Sequence, residues 1–318
     1  GKTAVVTGGG RGIGGSIAMA LAAEGAKVAV VSRNEASCAK TAGEINLAFP
    51  GGAKAYDVDI SDHEAVQELG KQIIAELDKL RECGVTGSVY FVDDNFIGNR
   101  KAALDLLPHL VEWQKQTGYV MRLACEATLN IAKRPEILEK MREAFFVTVF
   151  CGIETPDPDA LKAMHKDHNM MVPILEGIRT INSYGMEVVS GIIMGLDTDK
   201  PETGDALLQF VEESQIPLLT INLLQALPKT PLWDRLERES RLVNDDDGRD
   251  SNVKFLLPYD QVVNSWRKCM EVAYEPERLF ARYEYQCEYT YANRLKVPVS
   301  PELKSWPNIR RALIMLRN

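Results

Sequence analysis

Residues Thr7-Gly8-Gly9-Gly10-Arg11-Gly12-Ile13-Gly14 follow directly on the apolar run Ala4-Val5-Val6 and open a helical stretch from Ser16 to Glu24. A glycine turn between a strand and a helix lets backbone approach a pyrophosphate, whose charge then rests on the amides and positive dipole end of the helix. The structural alternative is a tight strand-to-helix turn with no ligand. Three spaced glycines with strand and helix both in place favour the dinucleotide reading. Downstream, Lys27 to Ser32 and Ala53 to Ile60 read as strands, Asn34 to Phe49 and Ser61 to Leu80 as helices. Gly25 can stop the first helix in a left-handed cap, and Ser61 with Glu64 makes a capping box for the last.

Arg33, at the end of the second strand, stands where an acidic residue would bind a ribose hydroxyl. A cation there suits a 2′-phosphate, so NADP(H) is expected over NAD(H). Residues 1 to about 75 resemble the short-chain dehydrogenase/reductase family, with Thr7, Gly8, Gly12 and Gly14 on its Thr-Gly-x-x-x-Gly-x-Gly turn. The resemblance implies cofactor contacts from Arg11, Ile13 and Arg33, and an adenine contact from Asp59. The family's later Asn-Asn-Ala-Gly strand end, catalytic Ser and Tyr-x-x-x-Lys do not follow: Tyr291 precedes Lys296 by five positions, and Tyr259 has Val263 at the required offset. Hydride transfer of that kind needs a phenol with a lysine one helical turn away, and no such pair is found.

From Ser88 onward a second rhythm takes over. Strands are predicted at Ser88 to Val92, Tyr119 to Cys125, Phe145 to Cys151, Glu187 to Met194 and Pro217 to Leu224. Helices are predicted at Arg100 to Gln116, Thr128 to Met141, Asp157 to Met164, Val172 to Tyr184 and Thr203 to Glu213. Polar residues gather where these strands end, which is where parallel α/β folds place their ligands: Asp93, Asp94, Asn95, Glu126, Gly152, Glu154, Gly195 and Asp197. The segments Val89-Tyr-Phe-Val-Asp-Asp-Asn-Phe-Ile-Gly-Asn99, Cys151-Gly-Ile-Glu-Thr155, Gly191-Ile-Ile-Met-Gly195 and Leu224-Gln-Ala-Leu-Pro-Lys-Thr230 carry a second resemblance. Residues 84 to 300 are similar to the radical S-adenosylmethionine (SAM) superfamily, in its cobalamin-associated methylase-like branch. That implies Asp93, Asp94 and Asn95 at the SAM amino group, Gly191, Ile193 and Gly195 along adenine, and Glu154 in the pocket mouth.

The superfamily holds a [4Fe-4S] cluster on a Cys-x-x-x-Cys-x-x-Cys loop, thiolates being the ligands such clusters need. Cys38, Cys83, Cys125, Cys151, Cys269 and Cys287 include no two close enough in sequence for that loop, and a cobalamin domain ahead of the barrel is not expected. The expectation is therefore a composite, joined between about Gln72 and Gly87. It would retain an NADP(H) surface and a weakened SAM pocket, have no complete catalytic set and bind no [4Fe-4S] cluster. Two alternatives stand beside it, an NADP(H)-dependent oxidoreductase with an atypical proton donor and a radical-SAM methylase-like enzyme with atypical cluster ligands.

The fold expected is α/β: eight mainly parallel strands ordered 3-2-1-4-5-6-7-8, a Rossmann-like front half (1–83), a partial (βα) barrel (84–230) and a helical tail (231–318). A closed sequential barrel is the alternative, with right-handed crossovers in either case. Tail helices are predicted at Trp233 to Leu242, Tyr259 to Tyr274, Pro276 to Leu295 and Pro301 to Arg317. Its Arg282, Tyr283, Tyr285, Tyr289 and Tyr291 suit packing better than ligand contact.

A net charge of −8 over 318 residues argues against a general nucleic-acid or anionic-membrane surface. With no signal peptide or long apolar span, the partners expected are small-molecule nucleotides and the location cytoplasmic. Scattered cysteines read as reduced thiols rather than a disulfide framework. His165 and His168 could share a helical face as metal ligands, but Lys166, Asp167 and Asn169 around them favour a solvated turn. Asp93 and Asp94, adjacent on a strand end, point opposite ways, so one can bind ligand while the other caps the next helix. Glu154 is open to either a ligand role or a helix-start carboxylate.

Overall fold

A computed structural model describes residues 3–32, 34–57, 63–85, 87–92, 95–157, 160–161, 173–243 and 250–297. Arg33, Asp59, the cap residue Ser61, the Asp93-Asp94 pair, His165, His168 and the helix expected from Pro301 lie outside these residues. The chain divides into two compact units. One gathers the residues up to Glu126 with Glu136–Thr148 and the residues from Arg294 on; the other holds Ala127–Pro135 and Val149–Asn293.

In the first unit, β1 (Thr3–Thr7), β2 (Lys27–Ser32) and β3 (Ala53–Asp57) form a parallel sheet in the order β1-β2-β3, with Val5 opposite Ala29 and Val30 opposite Ala55. The β-branched run of β2 is buried, and the two crossover helices, α1 (Gly12–Ala23) and α2 (Glu35–Ala48), pack side by side on one face of the sheet. Ala18 and Ala22 of α1 and Cys38, Ala42 and Ile45 of α2 share one core with Val6, Val28 and Val30. Gly25 takes φ +81° and the Ala26 amide reaches back to the Leu21 carbonyl, so the expected left-handed stop is present. Asn34 caps α2 by accepting from the Ser37 amide at 2.9 Å.

After α3 (His63–Glu82) comes β4 (Ser88–Phe91), and Val92 just beyond it makes a parallel bridge to Val6. The fourth strand thus lies beside the first, as expected. Among the described residues the contact is a single bridge, and β4 heads a separate five-stranded sheet ordered β4-β5-β6-β7-β8. The strands observed follow the order 3-2-1-4-5-6-7-8 in a mainly parallel α/β architecture. After α4 (Arg100–Thr117), Gly118 adopts a left-handed cap and Tyr119 follows at φ +60° with its amide on the Gln114 carbonyl. That helix closure delays β5 to Arg122–Glu126, three residues later than the residues suggested. The Gln114 side chain, fully buried, donates to both Met121 and Ala144 carbonyls. Phe91, Phe96 and Phe146 pack with ring centroids 5.3 to 5.9 Å apart.

The helix expected over Thr128 to Met141 is broken. A 3-10 turn (Leu129–Lys133) gives way to α5 (Pro135–Glu143), because Pro135 forces Arg134 out of the helical region. β6 (Phe146–Glu154) runs through both units, with its residues from Val149 on belonging to the second. There it is joined by α6 (Ile174–Ser183), β7 (Glu187–Met194), α7 (Thr203–Ser214) and β8 (Leu219–Leu223). Then come α8 (Pro231–Arg238), α9 (Tyr259–Ala273) and α10 (Pro276–Tyr285). The single helix expected to Leu295 changes to a π turn at Gln286–Thr290 and a 3-10 turn at Tyr291–Asn293.

Candidate functional site

In the glycine turn, Gly8 and Gly12 take φ +67° and +59°, a backbone that side chains disfavour. Gly14 is required for another reason: a Cβ there would lie 2.6 Å from the Gly8 carbonyl oxygen, where α1 meets the turn. The turn is tied down by the Gly9 amide on Val31 O (3.1 Å) and Thr41 Oγ1 on Gly10 O (3.0 Å). Arg11, extended at the helix N-cap, makes no side-chain cap, the first turn of α1 carries no acidic residue, and Gly8, Arg11 and Gly12 are exposed. Thr7 closes β1 and Ile13 lies in the first turn of α1. An unsealed helix start of this kind suits an anion.

In the second unit, the strands alternate. Val188, Ser190, Ile192 and Met194 of β7 are buried, as are Leu219, Ile221 and Leu223 of β8; between them Gly191, Ile193, Thr220 and Asn222 are less so. β6 does the same, burying Cys151 and Ile153 and leaving Phe150, Gly152 and Glu154 partly open. Burial pushes the Cys151 thiol up to about 12, so it is an inert core group. The opposite face carries the polar residues and the glycines. A Cβ on Gly191 would sit 3.2 Å from Thr220 Oγ1 and 3.5 Å from Phe150 Cζ, and one on Gly152 would sit 3.0 Å from Glu154 Oε1. The two glycines therefore leave a shallow cradle between a carboxylate, a hydroxyl and an aromatic ring. Glu154 ends β6 at φ +67°. Such a backbone in a non-glycine residue at a strand end is the kind of strain found at ligand sites.

The loop after β7 is pinned from two sides. Asp199 Oδ2 accepts from the amides of Gly195 (2.7 Å) and Leu196 (3.2 Å). Gly195 sits at φ +91°, where a Cβ would meet the Phe255 ring at 2.5 Å. Asp197 accepts from Arg235 (2.7 Å) and from both terminal nitrogens of Arg241 (2.5 and 3.1 Å). The Arg241 hydrogen bond is the main reason its carboxyl is held below the usual range, with Arg235 adding to it against burial. Burial raises Asp199 instead; the two amides oppose that, and Asp157 and Asp197 reinforce it.

A cavity of about 760 Å³ opens beside Thr155 and Asp157, between β7, α6 and α7, walled by Leu161, Ile174, Ile192, Met194, Leu207 and Phe210. In the first unit, Tyr90 donates to Glu126 Oε1 at 3.2 Å, and the Phe96 amide, just past Asn95, donates to the Glu126 carbonyl at 2.8 Å.

The structure thus brings Glu154, Gly191 and Ile193 to neighbouring strands, with Gly195 closing β7. Thr220, Asn222 and Tyr90 were missed. The polar, apolar alternation of Leu219-Thr-Ile-Asn-Leu223 was the available signal for the first two. Arg241 and Phe255 had none, because their partners lie more than forty residues away in the chain. In the Arg and Tyr tail, Arg282 is buried and Tyr291 donates to Glu187, while Tyr289 is exposed with its ring 4.7 Å from that of Tyr285.

Comparison with known proteins gives three family matches. The short chain dehydrogenase profile covers residues 2–82, the radical SAM superfamily profile 51–211 and a domain of unknown function (DUF4070) 230–318. The first two overlap on β3 and α3, and the radical SAM match reaches well ahead of residue 84. The chain is 74% identical over 248 residues to the hopanoid C-2 methylase of Rhodopseudomonas palustris, covering 78% of this chain and 47% of that protein. It is 43% identical over 77 residues to a short chain dehydrogenase of Pseudocercospora fijiensis, covering 24% and 25%. Among solved structures, the radical SAM methyltransferase TsrM of Kitasatospora setae matches at 16% identity and TM-score 0.45, covering 55% and 35%. The chain spans about half or less of the length of these proteins.

These matches overturn two expectations. A composite with no complete catalytic set does not agree with 74% identity to a methylase across most of the chain. SAM as a minor possibility, with no [4Fe-4S] cluster expected, does not agree with a radical SAM match over just over half of it. Cysteine spacing identifies this chain less well than its run of strand-end residues does. The cradle of Gly152, Glu154, Gly191 and Thr220 fits a nucleoside edge. A cluster is not fitted by the residues described: all six cysteines are free, and among the described residues no three His, Cys, Asp or Glu side chains converge as metal ligands. No helix among the described residues is long and apolar enough to cross a membrane.

Proposed function

Because the chain belongs to the radical S-adenosylmethionine superfamily, we propose that it carries the SAM-binding core of a methylase acting on a polycyclic lipid of the hopanoid class. The identity to the hopanoid C-2 methylase, 74% over 248 residues, is the observation that carries this reading. SAM, when bound, supplies a reactive sulfonium carrying a methyl group. The chain's own residues bind and orient it. Adenine lies along Gly191, Ile193 and Gly195, where Gly191 presents no Cβ and Thr220 offers a hydroxyl beside it. Glu154, at the strand end, accepts hydrogen bonds from the ligand. A ligand with two cationic centres suits strand ends rich in carboxylates.

The glycine turn is a second, separate proposal. Thr7, Gly8, Arg11, Gly12, Ile13 and Gly14, with Arg33 and Asp59, would hold the adenosine-diphosphate portion of a dinucleotide, a reading supported by the unsealed start of α1 and by the short chain dehydrogenase match. We retain the division at residues 83 and 230 on the same footing.

Titration calorimetry with SAM tests the main reading. Saturable binding is expected, and Gly191→Val should abolish it by filling the cradle against Thr220 and Phe150. Conversion of a hopanoid to its methylated product, followed by mass spectrometry, tests the substrate class. A parent chain that binds no SAM overturns the proposal.

A further inference from the structure

The segment after residue 230, which matches a domain of unknown function, supplies a clamp for the loop that follows β7. Arg241 is the centre of it. Its two terminal nitrogens fork onto the Asp197 carboxylate, one of them also reaching Glu239 Oε2 at 3.0 Å, and its Nε donates to the Lys254 carbonyl at 2.9 Å. The Lys254 amide returns a bond to the Arg241 carbonyl (2.8 Å), and Leu242 bridges Val253 in antiparallel fashion. Two residues past Val253, the Phe255 ring closes on Gly195 and stacks at 7° on Tyr259. Arg235, on α8, adds a third donor to Asp197. Asn252 meanwhile holds both the amide and the carbonyl of Ala226, just past β8.

The Gly195–Asp199 loop is thus gripped by Asp199 from within and by Arg241 and Phe255 from the C-terminal segment. A bidentate guanidinium–carboxylate pair fixes direction as well as distance, which a lysine cannot do. The Arg241 side chain is only 14% exposed, so solvent screens the pair less than one on the open surface. We propose that Arg241 is a positioning residue for the nucleotide pocket, setting through Asp197 the place of the Gly195 backbone against which adenine binds. This rests on the SAM reading and deepens it, because the C-terminal segment then aligns one wall of the pocket without touching the ligand.

The test compares SAM affinity by calorimetry in the parent chain and in Arg241→Met, Arg241→Lys, Asp197→Asn and the Arg241→Met/Asp197→Asn pair. Hydrogen exchange at the Gly195 and Leu196 amides is measured in the ligand-free proteins. Arg241→Met and Asp197→Asn should each weaken SAM roughly tenfold, which corresponds to about 1.4 kcal/mol. The double variant should be no weaker than either single, because both remove one link. Arg241→Lys should recover part of the affinity, and exchange at the two amides should quicken in the order Lys, then Met. Asp197→Asn, nearly isosteric, keeps the test open if Arg241→Met folds poorly. Parent-like affinity and exchange in Asp197→Asn, or additive losses in the pair, overturn the inference while leaving the SAM reading intact. Absence of SAM binding by the parent chain overturns both.

Discussion

Glu154 holds a left-handed backbone at the end of β6, with its carboxylate beside Gly152, where an added Cβ would lie 3.0 Å from Oε1. Strain of this kind costs roughly 1 to 3 kcal/mol and persists where something else repays it. Glu154→Gly should accordingly leave stability unchanged or raise it by about 1 kcal/mol, while weakening SAM binding; urea unfolding and calorimetry read the two separately. A loss of stability would make the carboxylate a structural group. Gly195 is the opposite case. Gly195→Ala adds both a disfavoured φ and a clash with Phe255, and should cost about 2 to 4 kcal/mol in urea unfolding. Adding Phe255→Leu should restore only the clash portion. The candidate residues were legible in the sequence because glycine and carboxylate types cluster at strand ends, where parallel folds expose backbone. Their contrary strains were not, since φ at Glu154 and Gly195 is settled by what packs beyond the strand.

The loop after β7 and the start of α10 show how elements acquire partners that local sequence does not name. Asp197 is held below the ordinary carboxylate range, so its stabilising contribution is present above that range and disappears as pH falls through its lowered value. Asp199, raised by burial, works the other way: its contribution belongs to acid conditions and is lost as pH rises through its raised value. Asp197→Asn should cost about 1 to 2 kcal/mol near neutrality, and the gap to the parent should narrow as pH falls below the ordinary carboxylate range; urea unfolding across pH checks it. On α10, Arg282 is buried with Nη2 on the Ala273 carbonyl and Nη1 3.7 Å from Glu212 Oε1, while its Nε and Nη1 have no hydrogen-bond acceptor. Burial lowers its pKa. Arg282→Met should therefore cost less than Arg282→Ala, by about 2 kcal/mol in thermal or urea unfolding, because a flexible apolar chain fills the space without a buried charge. Element identity was readable from periodicity, but ends were not: Pro135 splits one expected helix, a left-handed Gly118 delays β5, and a π turn ends α10 early.

For the molecule as a whole, two nucleotide-type surfaces make distinguishable demands. A ligand that binds only the folded state at about a hundred times its dissociation constant adds roughly 2.7 kcal/mol to stability. SAM should raise the thermal midpoint accordingly, and Gly191→Val should remove that rise without lowering the midpoint of the ligand-free chain by a comparable amount. What the amino-acid order determined unaided was the α/β class, the succession of parallel strands and the two glycine-marked strand ends. Those follow from period-two and period-3.6 patterns and from backbone conformations that only glycine adopts freely, all of them local. Tertiary structure alone decided that β4 meets β1 through a single bridge, that Thr220 and Phe150 flank Gly191, and that Arg241 and Phe255 close on the loop after β7. Those contacts join residues tens of positions apart, and their energy depends on geometry that exists only once the chain has packed.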